Sequence, residues 1–153
     1  MTANDDVVIG PAAEADYDWC ARLMAGTEPW ITLGRDVGRS LVSLRRPASE
    51  LFLARRGAQR LGFILLQAQG VAGSPYVASV AVAAEARGLG VGSELLHFAE
   101  RRYPAARHIF LCVSDFNTRA RALYERRGYT LVGELKDYAA PGRSELLMHK
   151  VIE

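Results

Sequence analysis

The chain has 153 residues, half of them hydrophobic, and 19 basic against 17 acidic side chains leave a net charge of +2. That size suits one domain spanning 1–153 with a full core. The near-neutral balance argues against a nucleic-acid partner, and no apolar run approaches the length of a membrane span. Cys20 and Cys112 stand far apart and imply no disulfide framework. The polar, acidic start MTANDDVV does not read as a signal peptide, so a cytoplasmic protein without membrane association is expected. The basic residues are nearly all Arg, with Lys only at Lys136 and Lys150, a bias expected of a bacterial gene.

Val7 to Ile9 reads as a first strand, broken by Gly10-Pro11. From Glu14 to Met24 the residues Trp19, Cys20, Leu23 and Met24 share a helical face, with acids early, as a helix start prefers. Thr27-Glu28-Pro29-Trp30 interrupts. A second helix is expected from about Asp36 to Arg46, with Val37, Leu41 and Leu44 inward and Pro47 as its stop. Glu50 to Arg55 and Arg60 to Gln69 form a hairpin around Arg56-Gly57-Ala58-Gln59. Gly70 to Pro75 turns the chain into a strand from Tyr76 to Val82, rich in Val and small residues.

A helix follows from Val91, with Leu95, Phe98 and Ala99 on its apolar face, and ends at Tyr103-Pro104. His108 to Val113 is a buried strand. Asn117 caps a helix from Thr118 to Arg127, and Gly128 suits the position after it. Tyr129 to Lys136 and Ser144 to Val151 are the last strands. The order β-α-α-β-β-β-α-β-α-β-β defines an α/β fold whose mixed, mostly antiparallel sheet is flanked by helices. His97, His108 and His149 lack partners at metal-ligand spacing, so they read as structural or surface residues and no metal is expected.

Chemistry concentrates in Arg87-Gly88-Leu89-Gly90-Val91-Gly92-Ser93, between a buried strand and a helix. Three glycines in five residues are costly at a helix start unless the backbone must turn sharply or be approached closely. The first helix amides lack intrahelical acceptors and carry partial positive charge, which makes an anion cradle. A phosphate-binding P-loop would need Gly-Lys-Ser/Thr, but Ser93-Glu94 follows Gly92. A dinucleotide fingerprint would need glycine where Ser93 stands, so a nucleotide-binding domain is disfavoured.

What does fit is R-x-x-G-x-G, starting at Arg87 five residues after a strand ending Val80-Ala81-Val82, followed by Asn117, Ala120, Leu123-Tyr124-Glu125 and Gly128-Tyr129. The first resembles motif A of the GCN5-related N-acetyltransferases. The second resembles that family's N-x-x-A-x-x-L-Y-E-x-x-G-F/Y segment. Together they cover roughly Tyr76 to Leu131.

The resemblance implies that the strands ending near Val82 and Val113 splay apart and admit an acyl-CoA. It implies acetyl-CoA as co-substrate and direct acetyl transfer to a primary amine of a small molecule or protein, by an enzyme that forms homodimers in many relatives. The backbone from Gly88 to Ser93 would hold the pyrophosphate, with charge added by Arg87. The edge of Val80-Ala81-Val82 would pair with the pantetheine arm, and an amide near Val82 would meet the oxyanion. Asn117 would touch the CoA arm, besides serving as a helix cap. Tyr124 would be the general acid: a phenol, with a pKa of roughly 10 against about 8.5 for a thiol, stays protonated at neutral pH. Read without the motif, Tyr124 is a core aromatic on an amphipathic helix.

The amine must lose a proton before attack, because an ammonium has a pKa of roughly 10.4. Where the branch that acetylates ribosomal-protein N-termini carries a Glu, this chain has Cys112, which argues against that peptide activity. Glu28 is the candidate base, with a water relay and Asp115 as rivals. Trp30 lies in a connection where the helix pattern offers it no burial, and Pro29 stiffens the backbone beside it. An aromatic face beside a carboxylate suits an ammonium, so Glu28 and Trp30 are the expected acceptor contacts. The plainer reading folds Trp30 into the core and leaves Glu28 solvated. A non-catalytic acyl-CoA-binding regulatory module with the same fold is the alternative to an enzyme.

Overall fold

A computed structural model describes residues 7–152. In chain order it holds β1 (Val7–Pro11), α1 (Tyr17–Ala25), α2 (Val37–Leu44), β2 (Ser49–Arg56), β3 (Gln59–Val71) and β4 (Ser74–Val82). There follow α3 (Val91–Arg102), β5 (His108–Ser114), α4 (Thr118–Arg126), β6 (Thr130–Ala140) and β7 (Arg143–Val151). The strands make one sheet in the order β1-β2-β3-β4-β5-β7-β6. Among the described residues only β4 and β5 run parallel. The expected mixed, mostly antiparallel α/β architecture is therefore the one observed.

Alternation along the strands sorts side chains to two cores. Leu51, Leu53, Phe63 and Leu65 pack with Cys20, Met24 and Leu44 of α1 and α2. Phe52, Ile64, Leu66, Ile109 and Leu111 pack with Leu95 and Leu96 of α3 and with Tyr124 of α4. The sheet is thus covered on both faces, and its central strands read as nearly continuous apolar runs.

Three elements depart from the sequence expectation. The helix predicted from Glu14 opens as a tight 3-10 turn over Glu14–Asp16. There Asp16 is buried, accepts the Ala13 amide at 2.8 Å, and binds Arg55 and Arg60 at 3.2 and 3.0 Å. Burial pushes its carboxyl up, but the Ala13 amide and the two guanidiniums outweigh that and hold it below the usual range. The early acid therefore pins the helix start to the β2–β3 hairpin rather than complementing a dipole.

The connection predicted over Gly70–Pro75 shrinks to two residues, because Ala72 and Gly73 both take positive φ (50° and 80°) and close a hairpin. Alanine at the first of these positions hides the usual Asn-Gly signal. Finally, β6 continues past Lys136 to Ala140, through Asp137 at φ 56°, whose carboxylate accepts the Gly142 amide.

One irregularity governs the rest. Leu65 pairs with Ser79 and the next residue, Leu66, pairs with Val77, so Ala78 is an extra residue in β4. Such a bulge bends its strand and sharpens the twist. The β4–β5 pairing consists of Tyr76 with Phe110 and Val77 with Leu111, and ends there. Beyond it the two strands diverge, and Ser79 to Val82 faces a gap on one side while still pairing with β3 on the other.

Gly62 lies against the open part of β4. A Cβ there would meet the Ala81 carbonyl oxygen at 2.6 Å and the Val82 Cα at 3.2 Å, both backbone atoms. Gly62→Val should cost about 1–3 kcal/mol through overpacking. At about 2–4 °C per kcal/mol for a chain of this size, thermal denaturation should show a Tm lower by roughly 3–10 °C. An unchanged Tm would mean that β4 yields freely at this point.

Candidate active site

The diverging ends of β4 and β5 open a cleft of about 740 Å³. Val80, Ala81 and Val82 form one wall, Cys112, Val113 and Ser114 the other. Thr27 to Trp30 and Glu145 also line it, as do Asn117, Leu123 and Tyr124 at the α4 side. Nearly every residue singled out in the sequence is therefore in one cavity.

At one end of the cleft the chain leaves β4, turns through Ala84–Ala86 and enters α3. Gly88 and Gly90 have φ of 80° and 83°, the left-handed region that glycine enters without strain. Gly90 is the N-cap of α3 and has no side chain to satisfy the first amides, so those of Val91, Gly92 and Ser93 stay available. Gly92 has a different reason. A Cβ on it would come 3.2 Å from Leu123 Cδ2 and 3.7 Å from Val82 Cγ2, so its absence lets α3 close on α4 and the tip of β4. Leu89 is not part of the wall; its side chain packs against the core. Arg87 is exposed at the rim.

Tyr124 is 7% exposed and lies at the junction of core and cleft. Burial pushes its hydroxyl well above the ordinary phenol range, and the charge of Glu145 pushes it further. The neighbouring Tyr129 ring sits edge-on at 6.2 Å, but its hydroxyl is tied to Glu100 at 3.0 Å and it takes no part in the cleft wall. Asn117 lines the cleft and also caps α4, its Oδ1 accepting the Ala120 amide at 3.4 Å.

The segment between α1 and α2 winds into successive turns, with Ile31, Leu33 and Arg35 amides donating to the carbonyls of Thr27, Pro29 and Trp30. This rolls Trp30 into the core beside Cys20, Met24 and Phe63, leaving it 9% exposed with an edge on the cleft. The burial that the helix pattern did not offer thus comes from local turns. Glu28 stays exposed; Thr32 donates its amide (2.9 Å) and hydroxyl (2.7 Å) to the carboxylate. The Thr32 hydroxyl, then its amide, hold the Glu28 carboxyl below the usual range, with help from Arg143. Asp115 is a structural clasp. It accepts the Ser144 amide at 3.1 Å while its own amide donates to the Ser144 carbonyl at 3.0 Å.

Three cleft residues carried no signal in the sequence. The Ser114 hydroxyl donates to Glu145 Oε2 at 2.5 Å, across the last β5–β7 pair. Burial raises the Glu145 carboxyl; Ser114 opposes this, Asp115 adds to it, and Arg35 counters it. Tyr76 faces Cys112, and burial raises both groups. Glu145 is 31 residues from Ser114 in sequence, so only strand pairing brings them together. Among the described residues, no group of three His, Cys, Asp or Glu side chains is placed to hold a metal ion. No helix among them is long and apolar enough to cross a membrane.

Residues 14–129 match the model of the acetyltransferase (GNAT) family, and the chain belongs to that family. No curated protein matches it in sequence. Among solved structures it is similar to nourseothricin acetyltransferase, with a TM-score of 0.76 and 22% identity over 97% of this chain and 99% of that one. It is also similar to an aminoglycoside 6′-N-acetyltransferase complexed with coenzyme A, with a TM-score of 0.77 and 18% identity over 95% and 97% of the two chains. The aminoglycoside 6′-N-acetyltransferase from Enterococcus faecium gives a TM-score of 0.72 and 17% identity over the same shares. At these identities the likeness establishes the fold.

The thiols give a test of how any acyl group moves here. Burial pushes Cys20 up to about 12 and raises Cys112 as well, so neither is a ready thiolate. Both should alkylate with iodoacetamide at pH 7.5 more slowly than free cysteine. After incubation with acetyl-CoA, intact-mass analysis should find no acetyl group on Cys112. An acetylated Cys112 would overturn direct transfer.

Proposed function

We propose that the protein transfers the acetyl group of acetyl-CoA directly to a primary amine. The observation that carries this is one cleft holding an unpaired strand edge, a glycine-capped helix start and a buried tyrosine. Val80 to Val82 offers its free edge to the amide-rich pantetheine arm. The amides from Gly88 to Ser93 and the exposed Arg87 receive the pyrophosphate, where helix polarity and open donors favour an anion. A β4 amide near Val82 stabilises the oxyanion as the amine nitrogen bonds to the thioester carbon. When the C–S bond breaks, Tyr124 donates its proton to the thiolate. Its raised phenol keeps that proton at every assay pH.

Glu28 and Trp30 form the acceptor side of the mouth. Held low by Thr32, Glu28 remains ionised and attracts an ammonium, and the exposed edge of Trp30 borders the same space. The acceptor is therefore a cationic amine, and the neighbours named for nourseothricin and aminoglycosides make those compounds the first members of a test panel.

Acetyl-CoA should raise the Tm of the protein, since a ligand selective for the folded state stabilises it. Gly90→Asp, which adds bulk and negative charge at the α3 cap, should fold and lose that shift. A retained shift would reject the cradle. Release of free CoA thiol across the amine panel separates an enzyme from a binding module without turnover. For an accepted amine, Tyr124→Phe should lower kcat roughly 10²-fold with the acetyl-CoA shift kept. If stability falls and kcat does not, Tyr124 is a core aromatic only.

A further inference from the structure

Resting on the acetyl-transfer reading, we propose that Glu145 is the general base of this site, with Ser114 as the residue that positions it. Among the described residues two carboxylates line the cleft, Glu28 and Glu145. Glu28 is exposed, has both oxygens engaged by Thr32, and is held low, so it keeps its charge but is a weak proton acceptor. Glu145 differs in each respect. It is partly buried, its Oε2 alone is engaged, by Ser114, and among the described residues no cation lies within 4 Å of it.

Position favours the same residue. Ser114 and Glu145 are the last paired residues of β5 and β7, at the end of β5 where the gap stands open. The charge of Glu145 is felt by Tyr124 from α4, by Tyr76 from β4 and by Cys112 from β5. The charged groups acting on it in turn are Asp115, which raises its carboxyl, and Arg35, which lowers it. Burial, with Asp115, raises the carboxyl above its ordinary range and so makes it a better proton acceptor than Glu28. Acid and base therefore stand on different elements around one gap: Tyr124 on α4 and Glu145 on β7.

The protons balance. The ammonium gives one proton to Glu145, and its nitrogen attacks the thioester carbon. The C–S bond then breaks as Tyr124 protonates the thiolate. The second nitrogen proton is lost as the amide forms and restores the Tyr124 hydroxyl, and Glu145 releases its proton to water. The net products are the acetamide, CoA thiol and one proton.

The sign of the pH dependence follows. Glu145 works when ionised, so kcat/KM for a cationic amine should fall as pH drops through its raised pKa. Ser114→Ala removes the donor that lowers that pKa, so the acid limb should move to higher pH. Glu145→Gln should lower kcat/KM at pH 7 by roughly 10²-fold or more. It should also replace the acid limb with a rise toward the amine's own pKa.

The experiment measures CoA thiol release by wild type, Glu145→Gln and Ser114→Ala. One probe is the best cationic amine of the panel; the other is hydroxylamine, which is neutral at pH 7. A base predicts a large loss with the cation and a much smaller one with hydroxylamine, with the acetyl-CoA Tm shift unchanged. Equal losses with both probes, or an acid limb unmoved by Ser114→Ala, would overturn the assignment and leave acetyl transfer standing. Wild type that binds acetyl-CoA but acetylates no amine would overturn the transferase reading and the base with it.

Discussion

A sheet normally pairs every strand edge it can, because an unpaired backbone donor or acceptor away from water costs as much as a lost hydrogen bond. Here the extra residue Ala78 breaks that rule at the centre of the sheet. Pairing with β5 stops after Val77, while β3 continues to hold the other edge of β4. The result is a rigid strand with one open edge, walled by two helices and closed to a second strand. An open edge at a sheet's border invites any other chain; at the sheet's centre, this one lines a cleft. The cleft, with the α3 cap at one end and Tyr124 at its α4 side, opens beyond this insertion.

The carboxylates divide by what neutralises them. Asp16 is gripped by Arg55 and Arg60 and anchors α1. Glu100 collects Arg127, Lys150 and the Tyr129 hydroxyl, each at 3.0 Å, and ties α3 to α4 and β7. Both are nearly inaccessible and fully partnered, as buried charges must be. Among the described residues Glu145 has one side-chain hydrogen-bond partner, the Ser114 hydroxyl, and it borders a cavity. A charge left so incompletely compensated contributes little to the fold, and the open cleft beside it gives it a different use.

Two tyrosines five residues apart show how finely packing sorts equivalent chemistry. Tyr124 and Tyr129 are both buried, and burial raises both hydroxyls. Tyr129 ends on Glu100 and belongs to the interior. Tyr124 ends on the cleft, because Gly92 lets α3 and α4 approach until Leu123 touches the helix start. The third glycine of the loop thus acts through packing, whereas the first two act through backbone conformation.

Local chemistry in the chain was enough for much of this. Hydrophobic periods located the α-helices and strands, though not all their ends, because a period of two or of 3.6 is a property of neighbouring residues. The glycine run announced a helix start without a capping side chain, and its match with the Asn117–Tyr129 segment identified the family and its cleft residues. The tertiary structure alone decided the rest. The helix pattern offers Trp30 no burial and leaves both a cleft contact and a core position open to it; turns that no period encodes bury most of it. The bulge at Ala78 is a register shift between two strands, and register exists only when both strands are in place. Glu145 reads as an ordinary polar position of an alternating strand. Only the pairing of β5 with β7 sets it beside Ser114, and only the divergence of β4 from β5 gives that pair a cavity to face.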